Sequence, residues 1–411
     1  MTPCISPGSL DRARLPACSS FWIAGFDGAD HVSSAGIALA MGETTQHEQQ
    51  AAADYARLGA FNIRTVRESV GWRLTERAGD FDLSAIEGRA RAAAEAGVQI
   101  LWTLCHSGMP QDVDVLSGDF VARYVRFAKA VATRLLRLGG LPPVYTPFNE
   151  ISFLAWALCE GRRMRASCSN AEAGDVRRQL VRAAIAACDA ILAIDPRARF
   201  MHTDPLIHVV PPEDRPELAQ AAAAHNAGQY EAWDMICGAV EPQLGGDARL
   251  LDLIGINYYF NNQWELESGD PLGWRIDDER RRPLAEMLEE VHRRYRRPLI
   301  ISETSHVGVG RGAWVREIAR ECLTARRRGV PLEGICLYPI IDHPDADLGI
   351  HWTHSGLWDL HYGPGGRLRR NVNGPYADAL MEAQEMIDAD PTAVPALAHV
   401  RSDDARVAAA R

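Results

Sequence analysis

The sequence predicts an α/β fold, namely a single-domain (β/α)8 barrel, or TIM barrel, and three observations support this prediction. Eight short apolar runs, each followed by a helical pattern, occupy roughly 360 of the 411 residues. The runs are continuously apolar, as expected for parallel strands that helices cover. The first run leads into GFDGADH, which lacks the GxGxxG pattern typical of an open, doubly wound sheet, the main alternative fold.

The predicted elements follow from the alternation of these patterns along the chain. The eight predicted strands are residues 21–27, 61–68, 98–106, 143–150, 198–204, 250–259, 297–303 and 334–342. The eight predicted helices are residues 45–59, 82–97, 118–138, 171–194, 214–236, 283–295, 312–328 and 375–388. Gly59, Gly97 and Gly139 lie at or just past three helix ends, and Asp195-Pro196 closes a fourth helix.

Two loops are longer than the repeat requires. They follow the sixth and eighth predicted strands and span residues 259–282 and 342–374. Loops at the carboxyl ends of barrel strands usually carry the functional site. We expect residues 21–389 to form the barrel, residues 1–20 to form an N-terminal extension, and residues 390–411 to form a flexible tail, because that tail has no apolar periodicity.

Composition argues against several kinds of partner. The net charge is −10 and no basic block occurs, so neither nucleic acid nor an anionic membrane surface is expected to bind. No stretch approaches the ~20 apolar residues of a membrane span, and we expect no signal peptide. The nine cysteines are odd in number and scattered, and no CxxC motif occurs. This pattern predicts reduced thiols and a cytoplasmic protein.

Polar residues stand at the carboxyl end of every predicted strand. In a closed barrel these ends open on one mouth, so the polar side chains are expected to share a site. The residues are Asp27, Arg64, His106, Asn149 with Glu150, Asp204, Asn257 with Tyr259, Glu303 and Asp342.

The two glutamates, Glu150 and Glu303, come from opposed strands and suit glycoside hydrolysis. One carboxylic acid protonates the leaving oxygen, while the other carboxylate attacks the anomeric carbon and water later releases the sugar. The acid needs a raised pKa, which burial and a nearby like charge would supply. The nucleophile must stay ionised, which a close arginine or tyrosine hydroxyl would support.

Four segments resemble those of known glycosidases. TPFNE (146–150) followed by PLIISE (298–303) resembles the acid/base and nucleophile strands of clan A glycoside hydrolases. DLIGINYY (252–259) resembles the sixth strand of family 1 of that clan, which contains β-glucosidases, and TLCHSGMPQ (103–111) resembles its third strand. The resemblance covers the chain from about residue 21 to residue 359.

The resemblance implies a role for each matching residue. Glu150 would be the general acid/base and Glu303 the nucleophile, while Asn149 would bind the 2-hydroxyl of the sugar. The family pattern further implies that Arg64 and Tyr259 hold Glu303.

Two further residues at the strand ends complete the expected sugar contacts. His106 would bind another hydroxyl of the same sugar, by the same resemblance, and Asn257 is a further candidate for substrate binding.

The sugar-holding positions depart from the family pattern. The glutamine expected after the first strand aligns with Asp27, and the tryptophan expected after His106 is Ser107. In the loop after the eighth strand, Asp345 stands as a substitute for the usual glutamate. We expect this loop to fold over the gap that Ser107 leaves, with at least one of Asp345, His351 and Trp352 near the pocket. The resemblance is therefore to a divergent member, for which glucose specificity does not follow.

The sequence thus predicts a retaining β-glycosidase that cleaves a small soluble glycoside without a metal or other cofactor. Two alternatives remain open at this point. A barrel that binds sugar without catalysis would not need both glutamates. A metal-dependent hydrolase could use the three Asp and three His of residues 342–354, although their spacing matches no zinc pattern. The oligomeric state and the sugar are not predicted.

Overall fold

A computed structural model describes residues 16–276, 278–347 and 349–390 of the chain, and its centre is the expected closed barrel. Eight parallel strands pair in chain order, and the last strand pairs with the first through Trp22 and Ile335. The barrel strands are β1 (Trp22–Gly25), β2 (Thr65–Ser69), β3 (Gln99–Cys105), β4 (Val144–Phe148), β5 (Arg199–Pro205), β6 (Leu253–Asn257), β7 (Leu299–Thr304) and β8 (Leu332–Leu337). Closure rules out the open doubly wound sheet.

Helices surround this barrel and bury its outer face. The α-helices are α1 (Met41–Thr44), α2 (His47–Leu58), α3 (Trp72–Thr75), α4 (Ser84–Ala96), α5 (Phe120–Leu138), α6 (Ile151–Glu160), α7 (Ala173–Leu192), α8 (Ala219–Gly228), α9 (Glu231–Ile236), α10 (Leu284–Tyr295), α11 (Arg311–Arg327) and α12 (Gly374–Asp388). Residues 214–236, expected as one helix, contain both α8 and α9. Helix α6 was not expected, because nearly all of its sequence ISFLAWALCE is apolar and shows no amphipathic period.

Two apolar cores hold the barrel together. The larger core lies between the strands and the helices. The smaller core fills the barrel interior with one side chain from most strands, including Ile23, Leu101 and Ile300. Ala17 and Cys18 belong to this interior core. The last residues of the expected N-terminal extension therefore close the amino-terminal end of the barrel, whereas residues 1–15 and the expected tail after residue 390 lie outside the described residues.

The loop after β8 contains structure that the sequence did not reveal. Residues Trp358–Tyr362 and Leu368–Val372 form an antiparallel hairpin, and a bridge between Ile341 and Trp358 ties its first strand to the segment just after β8. Several described residues of the segment before this hairpin, among them His343 and Ser355, lie at the barrel mouth.

The cysteines differ from the expectation of reduced thiols throughout. Cys159 at the end of α6 forms a disulfide with Cys168, whose Cα atom is 4.6 Å away. The other cysteines within the described residues form no disulfide and are buried. None of the helices described here is both long and apolar enough to span a membrane.

Candidate active site

A cavity of about 560 Å³ opens at the carboxyl ends of the barrel strands. Most of the residues that the sequence singled out line it. The predicted residues in its wall are Asp27, His106, Asn149, Glu150, Tyr259 and Glu303. The two predicted catalytic carboxyls thus share one cavity, as the barrel topology requires.

Glu303, near the end of β7, is buried between two hydrogen-bond donors. Nη1 of Arg67 lies 2.5 Å from its Oε1, and the hydroxyl of Tyr259 donates to its Oε2 at 2.8 Å. Burial and the neighbouring carboxylate raise the pKa of Tyr259 well above its ordinary value, so the phenol keeps its proton and remains a donor. A positive charge and a neutral donor therefore compensate the buried carboxylate.

The arginine that holds Glu303 is Arg67, so the prediction of Arg64 is wrong. Arg64 is exposed and precedes β2, which begins at Thr65, so it lies at the amino-terminal end of the barrel. Arg67 lies inside β2, is 1% exposed, and extends into the barrel toward β7. The predicted strand, residues 61–68, contained both arginines, and Arg64, the one nearer its amino-terminal end, was the wrong choice.

Glu150 follows β4 and occupies a special backbone position. Its φ of 52° is in the left-handed region, which is strained for a residue with a side chain, and it caps the start of α6. The turn from strand to helix sets its carboxyl at the cavity, where the amide nitrogen of Asn257 donates to its Oε1 at 2.8 Å. Burial, followed by the charge of Glu303, raises the pKa of Glu150 to about 8. The carboxyl is therefore protonated at neutral pH.

Asn149 is oriented by three donors that converge on its amide oxygen. These are Nη2 of Arg67 at 2.7 Å, the hydroxyl of Thr203 at 2.9 Å and the amide nitrogen of Asn257 at 3.3 Å. Because the oxygen is occupied, the amide NH2 group is the part of Asn149 that can donate to a ligand. This arrangement suits the expected contact with a sugar hydroxyl.

Asn257 supports the site from below and does not line it. It is fully buried, its amide nitrogen reaches Glu150 and Asn149, and its oxygen accepts from the hydroxyl of Ser302 at 2.6 Å. The expected substrate contact of Asn257 is therefore replaced by a positioning contact with the predicted acid/base.

Asp27 is paired with a histidine from the loop after β8. Nδ1 of His343 lies 2.9 Å from its Oδ2, and the hydroxyl of Tyr338 donates to its Oδ1 at 3.2 Å. Burial alone would raise the pKa of Asp27, but His343 outweighs it and holds that pKa below its ordinary value. The ring of His106 stacks on Tyr338 at a centroid distance of 5.9 Å. Asp27, His106, Tyr338 and His343 together form a polar wall of the cavity. The sequence predicted only Asp27 and His106 at this wall.

The loop after β8 contributes to the cavity, but not through the residues expected. The carboxylate of Asp345 accepts backbone N–H groups of its own loop, including that of His351 at 2.9 Å. Trp352 packs against the larger apolar core and bridges Pro344. The residues of this loop that line the cavity are His343, Ala346, Thr353 and Ser355. Contrary to the expectation for this loop, Asp345, His351 and Trp352 do not line the cavity.

Three residues of the site were missed by sequence reasoning: Arg67, Tyr338 and His343. The sequence did offer a signal for two of them. Arg67 is the second arginine of RTVRE and lies closer to the strand end than Arg64. Tyr338 directly follows the apolar run of β8. Only the fold of the loop brings His343 to Asp27.

Comparisons with known proteins agree with the fold. No protein-family model matches the sequence, and no curated protein matches it significantly. Among solved structures, the chain is similar to the AHE enzyme from Alicyclobacillus herbarius, with a TM-score of 0.71 and 17% identity over 92% of this chain and 99% of that chain. It is also similar to the β-glycosidase from the hyperthermophile Thermosphaera aggregans, with a TM-score of 0.65 and 15% identity over 83% of this chain and 85% of that chain.

A third neighbour names the family that the sequence resembles. The family 1 β-glucosidase from Thermotoga maritima matches with a TM-score of 0.66 and 14% identity over 83% of this chain and 86% of that chain. At identities this low, the likeness establishes the fold alone. The protein is thus a TIM barrel related at the level of fold to family 1 β-glucosidases of clan A.

Proposed function

We propose that the protein is a retaining glycoside hydrolase that cleaves a small soluble glycoside. The observation that carries the proposal is the contrast between two carboxyls in one cavity. Glu150 has its pKa raised to about 8, whereas Glu303 is held by the guanidinium of Arg67 and the hydroxyl of Tyr259. One group can therefore give a proton while the other attacks as an anion, which is the division of roles that retention needs.

In the first step, the Glu303 carboxylate attacks the anomeric carbon as Glu150 transfers its proton to the leaving oxygen. The bond from the sugar to the aglycone breaks and a glycosyl ester of Glu303 forms. The attack removes the negative charge of Glu303, which is the largest charge raising the pKa of Glu150. The pKa of Glu150 therefore falls, so the carboxylate left by the first step stays ionised. It takes a proton from water as the water oxygen bonds to the anomeric carbon, and the ester bond to Glu303 breaks to release the sugar.

The other cavity residues would hold the sugar. The NH2 group of Asn149 is available for the 2-hydroxyl, and His106 with the Asp27–His343 pair can contact further hydroxyls. Since Asp27 stands where the family usually has a glutamine, the sugar need not be glucose. The preference for a β-linked substrate rests on the resemblance to family 1. The cytoplasm remains our proposed location, although the Cys159–Cys168 disulfide does not favour it.

The test is a screen of chromogenic β- and α-glycosides of several sugars, with Glu303→Ala as the control. We expect the wild type to hydrolyse at least one β-glycoside and Glu303→Ala to hydrolyse none. Proton NMR of the first sugar released should show the β-anomer, because two displacements retain configuration. Release of the α-anomer, or equal activity of the variant, would contradict the proposal.

A further inference from the structure

A second cluster of ionisable side chains lies in the segment after β8. It consists of Asp342, His354 and Asp359, whose ligand-type atoms all lie within 4.8 Å of one another. The backbone fixes this arrangement, because the N–H of Asp342 donates to the carbonyl of Trp358 at 2.8 Å and so brings Asp342 beside Asp359. None of the three lines the catalytic cavity.

Asp342 has a buried oxygen without a hydrogen-bond partner. The residue is 1% exposed, and its Oδ1 accepts from the hydroxyl of Thr353 at 3.1 Å and from the N–H of Ser355 at 3.2 Å. Its Oδ2 is buried and receives no hydrogen bond from the described residues. It faces Nδ1 of His354 at 3.5 Å, beyond a good hydrogen bond. Burying a carboxylate oxygen without a hydrogen-bond partner lowers the stability of the fold unless a nearby positive charge compensates it.

The other two residues suit the ligation of a cation. Nη1 of Arg311 donates to Oδ1 of Asp359 at 2.8 Å, and the amide of Asn373 donates to Oδ2 at 3.2 Å, so the carboxylate is held in a fixed orientation. His354 is half exposed, which leaves solvent access and room for water ligands. Its Nδ1 lies 4.0 Å from Oδ1 of Asp359. Donor atoms bound to one transition metal at about 2.0–2.2 Å lie roughly 3–3.5 Å apart. The three side chains would therefore need to move only slightly closer together to bind one ion.

We propose that Asp342, His354 and Asp359 bind one divalent transition-metal ion, such as Zn²⁺ or Mn²⁺, with water completing the coordination. Two carboxylates and one imidazole form a donor set for these metals, whereas Mg²⁺ and Ca²⁺ prefer oxygen ligands alone. Arg311 compensates one carboxylate, and the ion would compensate the buried oxygen of Asp342.

The ion would have a structural role in the cavity wall. Thr353 and Ser355 line the catalytic cavity, and both donate to the same oxygen of Asp342. An ion that fixes Asp342 and His354 against the hairpin would therefore fix the segment between them. It takes no part in the chemistry proposed for Glu150 and Glu303.

The experiment uses the full-length protein, stripped of metal with a chelator and titrated calorimetrically with Zn²⁺ and separately with Mn²⁺. We expect one ion to bind per chain and to raise the thermal midpoint by several degrees. Asp342→Asn and His354→Ala should weaken binding at least tenfold and abolish the thermal shift. The matched controls are Asp347→Asn and His351→Ala, which change exposed residues of the same loop and should bind as the wild type does.

His354→Ala keeps the experiment decisive if Asp342→Asn fails to fold, because His354 is partly in solvent. Absence of binding in the wild type would overturn the proposal and leave Asp342 and His354 as neighbouring side chains without an ion between them. Equal binding by the wild type and both site variants would also overturn it, because the ion would then be held elsewhere.

Discussion

Arg67 joins the two parts of the candidate site, since its Nη1 lies 2.5 Å from Glu303 Oε1 and its Nη2 lies 2.7 Å from Asn149 Oδ1. The guanidinium is 1% exposed. A planar group with two fixed donors can hold a carboxylate and an amide at once, which a lysine ammonium cannot reproduce. The proposed nucleophile and the proposed contact to the 2-hydroxyl are therefore positioned by one side chain.

The first prediction compares Arg67→Lys with Arg64→Lys, the same substitution three residues apart. Arg67→Lys keeps the charge but loses one of two charge-assisted hydrogen bonds, so kcat/KM should fall about 10- to 100-fold. Arg64→Lys changes an exposed residue at the other end of the barrel and should leave kcat/KM within about twofold. Steady-state kinetics on the best chromogenic glycoside measure both. An equal loss in both variants would contradict the position assigned to Arg67.

The two arginines also show how far the sequence alone could go. The alternation of apolar runs and helical patterns predicted the closed barrel, and the barrel topology brought Glu150 and Glu303 into one cavity. The predicted strand 61–68 contained both Arg64 and Arg67, and choosing between them required knowing that β2 begins only after Arg64. An apolar run does not fix a strand boundary so closely, because boundaries depend on tertiary pairing.

The loops were harder to predict for a different reason. His343 reaches Asp27, and Asp345 turns back on its own loop, because the hairpin 358–372 ties the loop to β8. The contact of His343 with Asp27 is non-local, and the sequence of residues 342–354 gives each acidic or histidine side chain the same polar context. The buried helix α6 escaped detection because it has no polar face to set a period.

The second prediction concerns the pH dependence of activity. Glu150 can donate a proton only while it is protonated, and burial and Glu303 raise its pKa to about 8. For a substrate with a poor leaving group, kcat/KM should therefore fall about tenfold per pH unit above about pH 8. Glu150→Gln should lose most activity on that substrate and should lack this alkaline limb. A wild-type profile that falls above about pH 5 would contradict the proposed acid.

The third prediction uses the same group to probe stability. The ordinary pKa of this carboxyl is 4.5, so between about pH 4.5 and 8 the folded protein keeps a proton that the unfolded chain has lost. The contribution of this proton to the free energy of unfolding of the wild type must therefore decrease as the pH rises through that interval. Glu150→Gln carries no such proton, and its amide oxygen can still accept from Asn257. The variant should gain stability relative to the wild type, reaching about 2–4 kcal/mol at pH 8.

Urea unfolding of the wild type and Glu150→Gln at pH 5, 6.5 and 8 measures this difference. Asp195→Asn is a useful control, because the hydrogen bond from Arg197 lowers the pKa of Asp195 and neither group titrates between pH 5 and 8. The difference in the free energy of unfolding between this variant and the wild type should not change in favour of the variant between pH 5 and 8. A difference between Glu150→Gln and the wild type that is constant with pH would contradict the raised pKa.

The fourth prediction concerns the disulfide between Cys159 and Cys168. It closes a short loop whose Arg163 and Met164 line the catalytic cavity. Breaking a loop of this length should lower the free energy of unfolding by about 2–3 kcal/mol. Reductant should therefore destabilise the wild type, while Cys168→Ser should be less stable and indifferent to reductant. The thiols titrated in denaturant should increase by two on reduction, and an unchanged number would contradict the pairing.

The last prediction separates the roles of the two glutamates by chemical rescue. Each proposed role places its carboxyl on a different face of the sugar, with Glu303 opposite the leaving group of a β-glycoside and Glu150 beside it. Glu303→Ala should be inactive on an activated aryl β-glycoside, and azide should restore turnover from the vacant face to give the α-glycosyl azide. In Glu150→Ala the same substrate needs little proton donation, so the glycosyl ester of Glu303 should form and accumulate. Azide should then attack that ester from the side of the missing carboxylate and give the β-glycosyl azide. Proton NMR distinguishes the two products, and azides of the same configuration from both variants would show that the glutamates do not act from opposite faces.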